Sequence, residues 1–427
     1  MDPRQILKVA VLVDHRPNHP GEVGGLAGTW EQISRVAAGR RDLDLTVCFL
    51  GDSRRTITVH DNVRYVLLPP LLGTERLPFL RGIPTNTDLS PFHPQLYWRL
   101  NGFHVIHTTD AFHAFAKTAW RRCRRTGTPL VNSVQTDIIG WARVYTPRIL
   151  RRLLPEQVVT RWLLGRLRYL DRQERSMERR FGRYLAGCRA VFVSHDRDRE
   201  RAARLAPRTK VRPLRRGIDL DLFHPRRRDR GLLESRWGVP ADLPLLLFVG
   251  RIDPVKGAVL AARLAGHLIE GGVNTHLLVV GDGSQKEEVM AILGHRVTLT
   301  GNLPHEELGW IYASADLLLF PSEAEVWPNV VMEAQASGLA VMACARGAGH
   351  VMGGAGEDGI LLSGRDEAEW RRAATDLVAR PEALRRMGAE ARRRARARAA
   401  TWTQVLEEDL LPVWREVCGG GASGPSP

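Results

Sequence analysis

ADLLLFPSEAEVWPNVVMEAQASGLAVMAC, residues 315–344, decides the fold. The run at 316–320 is apolar and has the length of a strand. The segment that follows, PSEAEVW, is polar enough for a loop. Pro328 suits the first position of a helix, which runs through NVVMEAQAS and stops at Gly338. A second apolar run, 339–344, follows at once. Strand, helix and strand in so short a span make a crossover unit, and continuous apolar strands of this kind belong to parallel sheets covered on both faces.

The same stretch carries two acids in a basic chain. Glu325 falls in the loop just before a helix N-terminus, and Glu333 falls inside the helix, more than a turn on. A helix N-terminus attracts anions through its unpaired N–H groups and its dipole. Carboxylates repel phosphate but accept hydrogen bonds from hydroxyls. A ligand carrying both phosphates and a polyol, such as a nucleotide sugar, suits the combination. The plainer alternative is that Glu325 caps the helix and Glu333 sits on a solvated face.

Working outward, the pattern repeats. Strand candidates are 7–13, 45–50, 63–68, 103–107, 129–134 and 190–194, then 245–250, 276–280, 296–300, 316–320, 339–344 and 359–362. Helical stretches separate most of them. The expectation is an α/β protein with two Rossmann-like domains, ligands binding at the carboxyl ends of the strands in a cleft where the two sheets face each other. The polar, Pro-containing segment 220–243 reads as the linker. The expected domains are 1–222 and 223–400, then a helix at 401–418 that crosses back to the first domain and a flexible tail at 419–427.

The chain has 427 residues, of which 44% are hydrophobic, and this suits two or three domains. No apolar run reaches the length needed to cross a membrane. The start, MDPRQILKVAVLVD, reads as a first strand and not as a signal peptide. The five cysteines are scattered, with neither metal nor disulfide spacing, as in a reducing cytoplasm. The net charge is +15, and only five of the 62 basic residues are Lys. Genomic codon bias, an anionic membrane, a nucleic acid or a polyanionic substrate could each explain this. The basic residues are dispersed and form no nucleic-acid motif, so no specific nucleic acid is expected. The stretch 147–187 has Arg on one side and Leu, Val, Trp and Tyr on the other. It reads either as a basic amphipathic helix on a membrane surface or as helices packed on a sheet with a solvated Arg face.

Other short motifs carry chemistry. In FVGRIDPVKG, 248–257, a strand ends at Gly250, and Arg251 and Lys256 stand at its carboxyl end, placed to hold a diphosphate. GDGS, 281–284, is a tight strand–helix turn. GEVGGLAG, 21–28, lets backbone approach a ligand closely but is neither a dinucleotide fingerprint nor a P-loop. The triplets Asp196-Arg197-Asp198 and Asp219-Leu220-Asp221 read as a helix start and a linker turn. His107, Asp110 and His113 read as loop and helix residues in preference to metal ligands.

In their order along the chain, the Gly-rich loop, FHVIHTTD, VQTDIIGWARVY, VSHDRDRERAARL, RRGIDLDLFHP, FVGRIDPVKG, VVGDGSQ and the block VTLTGNLPHEELGWIYASADLLLFPSEAEVWPNVVMEAQASGLAV resemble glycosyltransferase family 4, group 1 retaining enzymes of the GT-B fold. Glu325 and Glu333 match its E-x7-E signature. The resemblance implies that Arg251 and Lys256 hold the diphosphate and stabilise the leaving group without a metal or other cofactor. Glu325 is expected on the hydroxyls of the transferred sugar and Glu333 on the ribose. Gly250 and the backbone from Gly301 through Asn302 to Leu303 are expected to border the donor, and the N–H groups of Asn329 and Val330 to face its phosphates. Gly24, Gly25 and the loop 135–145, with Gln135 and Asp137, are expected to hold the acceptor. No protein nucleophile is assigned. This chain departs from the family at Gln135, where a His is usual, and at Trp327-Pro328, where Phe-Gly is commoner. Gln hydrogen-bonds but does not protonate near neutral pH, and Pro328 removes one N–H from the anion-binding end.

The function so implied is transfer of a sugar from a nucleotide-diphosphate sugar to a lipid or glycan acceptor. It would take place in the cytoplasm or on the inner face of an anionic plasma membrane. The alternative is a catalytically silent GT-B protein that binds nucleotide sugar or glycan as a partner subunit.

Overall fold

A computed structural model describes residues 5–17, 25–80, 87–153, 168–323, 325, 327–353 and 356–419. The described residues fall into two compact units. One comprises residues up to Pro17, Leu26–Arg216 and the segment from Trp402 onward, and the other comprises Gly217–Thr401 together with the short piece that ends at Gly25. The chain thus leaves the first unit six residues before the expected boundary at 222.

The first unit is built on eight strands: β1 (Leu7–Val13), β2 (Leu43–Leu50), β3 (Arg55–His60), β4 (Val63–Leu68), β5 (Val105–Thr108), β6 (Leu130–Ser133), β7 (Ala190–Val193) and β8 (Lys210–Pro213). Their order is β3-β4-β2-β1-β5-β6-β7-β8. All neighbours are parallel except β3 and β4. Strand β1 lies inside the sheet, with Val9 and Val11 registered on Leu45 and Val47 to one side and on Val105 and His107 to the other. Burial on both faces explains its unbroken apolar run. The pattern missed β3 and β8 because both are edge strands, mostly exposed and without an apolar run.

Helices α1 (Gly25–Ala37, from Leu26 on), α2 (Ala114–Thr126), α3 (Ile138–Leu153) and α4 (Tyr169–Ala186) belong to this unit. The expected loop 135–145 is instead mostly helix, since α3 starts at Ile138. Asp137 caps it, its Oδ1 accepting the Gly140 N–H at 3.1 Å. Part of the expected helical stretch, 154–167, lies outside the described residues. In α4, Phe181, Tyr184 and Leu185 are buried in the core, while Arg172, Arg175, Arg179, Arg180 and Arg183 are exposed. The apolar side of this helix is therefore already used, and what it offers to solvent is charge.

The second unit holds a six-stranded, wholly parallel sheet of β9 (Leu245–Val249), β10 (His276–Val280), β11 (Val297–Leu299), β12 (Leu317–Phe320), β13 (Ala340–Cys344) and β14 (Gly359–Leu362), in the order β11-β10-β9-β12-β13-β14. Alternate residues feed two cores. Leu246 and Phe248 enter one, and Leu245, Leu247 and Val249 enter the other. Helix α5 (Ala258–Glu270) follows β9, and α6 (Asn329–Ala336) joins β12 to β13. The expected linker is not plain coil. A helix at Arg230–Trp237 lies within it, capped by the Asp229 side chain and ended by left-handed Gly238.

The chain returns to the first unit through an irregular turn, Val405–Leu410, and helix α7 (Leu411–Gly419). Charge fixes this return. Arg215 Nε and Nη2 donate to Asp409 Oδ1 at 3.0 and 2.7 Å, Arg40 meets Glu407 at 2.6 Å, and Lys210 and Arg212 share Glu416. Apolar packing secures it. Leu406, Leu410 and Trp414 are fully buried, and Trp414 Nε1 donates to His107 Nδ1 at 3.2 Å. Trp414→Ala should lower the stability of the first unit by about 3–5 kcal/mol, as for other large-to-small core changes, measured as a drop in the urea unfolding midpoint. An unchanged midpoint would mean that α7 is not integral to this core.

Candidate functional site

The second unit gathers most of the expected residues at the carboxyl ends of β9 and β12. After Phe248 and Val249 the chain turns at Gly250, whose φ of 142° and N–H bond to Val280 O (2.9 Å) keep it flat against the neighbouring strand. Buried Asp253 organises the turn. Its Oδ1 accepts the N–H groups of Val255 and Lys256, each at 2.9 Å, and its Oδ2 lies 3.3 Å from Arg251 Nε. Arg251 is half-exposed and free to reach a ligand. Lys256 Nζ is ion-paired with Glu325 Oε1, which also accepts the Ser322 hydroxyl at 2.7 Å. Among the described residues, Glu325 Oε2 has no hydrogen-bond partner.

Two further contacts, not apparent in the sequence, hold these loops together. Arg365 donates from Nε to Pro321 O (2.6 Å), from Nη1 to Pro254 O (2.7 Å) and from Nη2 to Val255 O. Burial, the largest effect, pulls its pKa below the ordinary value, and the carboxylates nearby oppose this. Gly257, at φ 81°, opens α5, and a Cβ there would come within 2.9 Å of Pro321 Cβ. The GDGS turn is equally close-packed. A Cβ on Gly281 would lie 2.0 Å from Gly250 O, and Gly281 N donates to Gly301 O at 2.9 Å. This brings the segment of exposed Asn302 and buried Leu303 beside the Gly250 turn.

Helix α6 departs from expectation in two respects. It begins at Asn329, with Pro328 as its N-cap and not its first helical residue, and the Pro328 carbonyl takes the N–H groups of Val331 and Met332. The Asn329 N–H, expected to face phosphate, donates to Trp327 O at 3.1 Å, which leaves Val330 as the other main-chain donor proposed there. The Trp327 indole N–H in turn contacts Met332 Sδ at 2.7 Å. Glu333 is buried, with Oε2 accepting the Tyr312 hydroxyl at 2.9 Å and Oε1 lying 3.1 Å from His305 Nε2. Burial and the Glu333 charge push the Tyr312 pKa well above its usual value, so this hydroxyl stays a donor. Each carboxylate oxygen still has a second acceptor position. His305 and Tyr312 lie in the long block quoted above but received no role there, and Arg365 lies in no quoted motif. Only the fold shows what they touch.

The first unit places the other residues. Gly24 lies outside the described residues, and Gly25 opens α1 at φ 80°. Gln135 is buried, and its Nε2 donates to Ser133 Oγ at 3.0 Å. Gln135 Oε1 and the Asn132 Oδ1 are both buried without a hydrogen-bond partner beside a cavity of about 20 Å³, room for about one water molecule. Asp137 is engaged as the α3 cap. His107 contacts Trp414 and is separate from Asp110 and His113, which form a buried pair 3.3 Å apart. Asp14, fully buried, accepts the N–H groups of Asp88 and Phe115. Burial pushes the Asp14 pKa up to about 7, with His113 opposing. Burial pulls the His113 pKa down, but the Asp110 charge and hydrogen bond more than offset it, so the pKa is raised. Burial would raise Asp110, but the same pair holds it at about 2.

Residues 229–394 match the family model described as Glycosyl transferases group 1. A D-inositol 3-phosphate glycosyltransferase of Thermobispora bispora is 27% identical over 98% of this chain and 99% of its own. Further curated enzymes of that name are 30–33% identical, but over only 47–62% of their own length. Among solved structures, a sucrose-phosphate synthase from Thermosynechococcus elongatus gives a TM-score of 0.71 at 20% identity, covering 97% of this chain and 99% of that one. Anabaena HepE, in complex with UDP and glucose, gives 0.64 at 16%, covering 93% and 97%. The fold is that of these solved structures, and residues 229–394 carry the match to group 1 glycosyl transferases.

Gly257→Ala should destabilise the second unit by about 1–3 kcal/mol, through left-handed strain and the contact with Pro321, read in thermal unfolding. A neutral result would show that this turn relaxes freely. The first unit should lose stability as pH rises. The raised groups, Asp14 and His113, contribute fully below their unfolded values of 3.8 and 6.5 and lose that contribution as pH passes their folded values, about 7 for Asp14. The Asp110 contribution is lost only as pH falls from 3.8 through about 2. Urea midpoints should therefore decline between pH 5 and 8, and a rise across that range would contradict the assignment.

Proposed function

We propose that this glycosyltransferase moves a sugar, with retention of anomeric configuration, from a nucleotide-diphosphate sugar to a hydroxyl of a lipid or glycan. The observation that carries the donor reading is the state of Glu325. Lys256 and Ser322 fix one of its oxygens, and the other is open to accept from a sugar hydroxyl. A diphosphate approaching Lys256 and Arg251 meets two cations at a strand end. Lys256 then exchanges its carboxylate partner for phosphate, and Glu325 turns fully to the sugar.

As the glycosyl–phosphate bond breaks, positive charge grows at the anomeric carbon and negative charge on the diphosphate. Preorganised positive charge is the largest contribution available for such a step. Arg251, Lys256 and the start of α6 supply it without a metal in this proposal, and Glu333 meets the ribose. The donor reading gains support from HepE, whose complexes contain UDP and UDP-glucose. The curated relatives named for D-inositol 3-phosphate favour a second reading of the acceptor, a small polyol phosphate in place of a lipid or glycan.

No helix among the described residues is long and apolar enough to cross a membrane. The exposed Arg face of α4 supports electrostatic attraction to an anionic surface at the inner face of the plasma membrane.

Thermal-shift measurements with UDP, GDP and ADP sugars test the donor site. One family of nucleotide sugars should stabilise the wild-type protein by mass action. Glu325→Ala should weaken the response to the sugar nucleotide more than to the bare nucleotide. Lys256→Ala should lower kcat by roughly 100- to 1,000-fold, the loss seen when a charge-stabilising group is removed, and EDTA should leave the wild-type rate unchanged. Tight donor binding with neither transfer nor hydrolysis would instead favour a silent binding subunit.

A further inference from the structure

The first unit carries a cluster of rings and cations that the donor reading does not use. Trp98, on the short helix Pro94–Arg99, is 73% exposed. Its indole forgoes the burial that holds Trp30 and Trp414 in the core. Its neighbours form a continuous chain of contacts. The Trp98 ring meets Tyr97 edge-on at 5.5 Å between centroids, and Tyr97 meets Phe92 at 5.4 Å. From α2, Arg122 lays its guanidinium over Tyr97 at 5.1 Å, and Arg121 lays its own over Phe92 at 5.7 Å. Neutral oxygens hold both cations in place. Arg121 Nη1 donates to Pro91 O at 2.8 Å, and Arg122 Nη2 donates to Asn101 Oδ1 at 3.0 Å. Arg99, Lys117, Arg124 and Arg125 add to the charge, and the stretches 91–101 and 114–127 contain no Asp or Glu.

These features select a ligand. An open indole offers a flat apolar face, which suits the C–H face of a pyranose ring. Guanidinia beside it call for an anion and bind a carboxylate or sulfate through paired N–H donors. A patch that enters a bilayer needs several bare apolar side chains. Trp98 is the one exposed large apolar residue in these two stretches, since guanidinia cover the rings of Tyr97 and Phe92. A nucleic-acid strand stacks successive bases on successive rings, and the same covering leaves a single ring open. One stacking face edged by cations fits a sugar ring with a charged substituent.

We propose that Trp98, Arg121 and Arg122 form a surface site for an acidic saccharide, a glycan bearing carboxylate or sulfate groups. Such a site holds a glycan without reacting with it. It uses none of Arg251, Lys256, Glu325 or Gln135 and rests on the geometry of the first unit alone, so it stands or falls apart from the sugar-transfer reading.

Titration calorimetry with an oligogalacturonate, neutral maltohexaose, phosphatidylglycerol vesicles and an oligothymidylate tests it. The oligogalacturonate should bind the wild-type protein, less tightly as salt is raised, and maltohexaose should bind at least several-fold more weakly. Trp98→Ala should weaken oligogalacturonate binding roughly 10-fold, in the range for loss of an anchoring aromatic, and Trp98→Phe should retain part of the affinity. Arg121→Gln should weaken it several-fold and flatten the salt dependence. Both side chains are exposed, so the urea midpoints of Trp98→Ala and Arg121→Gln should match that of wild type. Oligogalacturonate binding that is absent, or that survives Trp98→Ala unchanged, would overturn the proposal. Equally tight maltohexaose would remove the role of charge and overturn it too. So would vesicles or the oligothymidylate binding more tightly than the saccharide and losing that binding in Trp98→Ala.

Discussion

The guanidinium of Arg365, wedged against the carbonyls of Pro254, Val255 and Pro321, is the constraint on which the strand-end loops of the second unit depend. Those carbonyls belong to the loops after β9 and β12. Without a shared donor they would be separate surface turns. With it, Gly257 is pressed against Pro321, and the Lys256–Glu325 pair forms across the seam. Carbonyl partners leave Arg365 its full charge, so it adds positive potential behind Lys256.

Much of this was legible in the sequence where burial on both faces forces an unbroken apolar run. Strands such as β1, β9 and β12 announce themselves in that way. Edge strands do not, and β3 and β8 were missed because exposure removes the pattern. Arg251, Lys256 and Glu325 stand out in the sequence because cations and an acid at strand ends have few other uses, and the fold brings Lys256 and Glu325 into contact. The partners of Glu333 were not found, because His305 and Tyr312 come from a different helix, and only the packing of α6 brings them within reach. Pro328 was misplaced by one position. A proline suits both the cap and the first turn, and pattern alone does not separate them.

Two arginines, Arg216 buried and Arg365 half-buried, show how context divides one residue type. Arg365 is surrounded by oxygen, and its burial completes a scaffold. Arg216, among the described residues, donates to a single hydroxyl, and its Nε has no partner. Charge counting over the whole chain hides this contrast, because both vanish into a total dominated by solvated side chains such as those on α4.

The connectivity of the units has a consequence for biosynthesis. The first unit is interrupted at Arg216 and completed only by the segment from Trp402 onward. A nascent chain emerging from the ribosome therefore finishes the entire second sheet before the indole of Trp414 exists to close the first core. The second unit has all its strands in one continuous stretch and is free to fold as it emerges, while the first must wait with its α7 face uncovered. Vectorial synthesis thus makes the later-encoded half the earlier to mature, and a chain cut short near its end would lose the half that begins it.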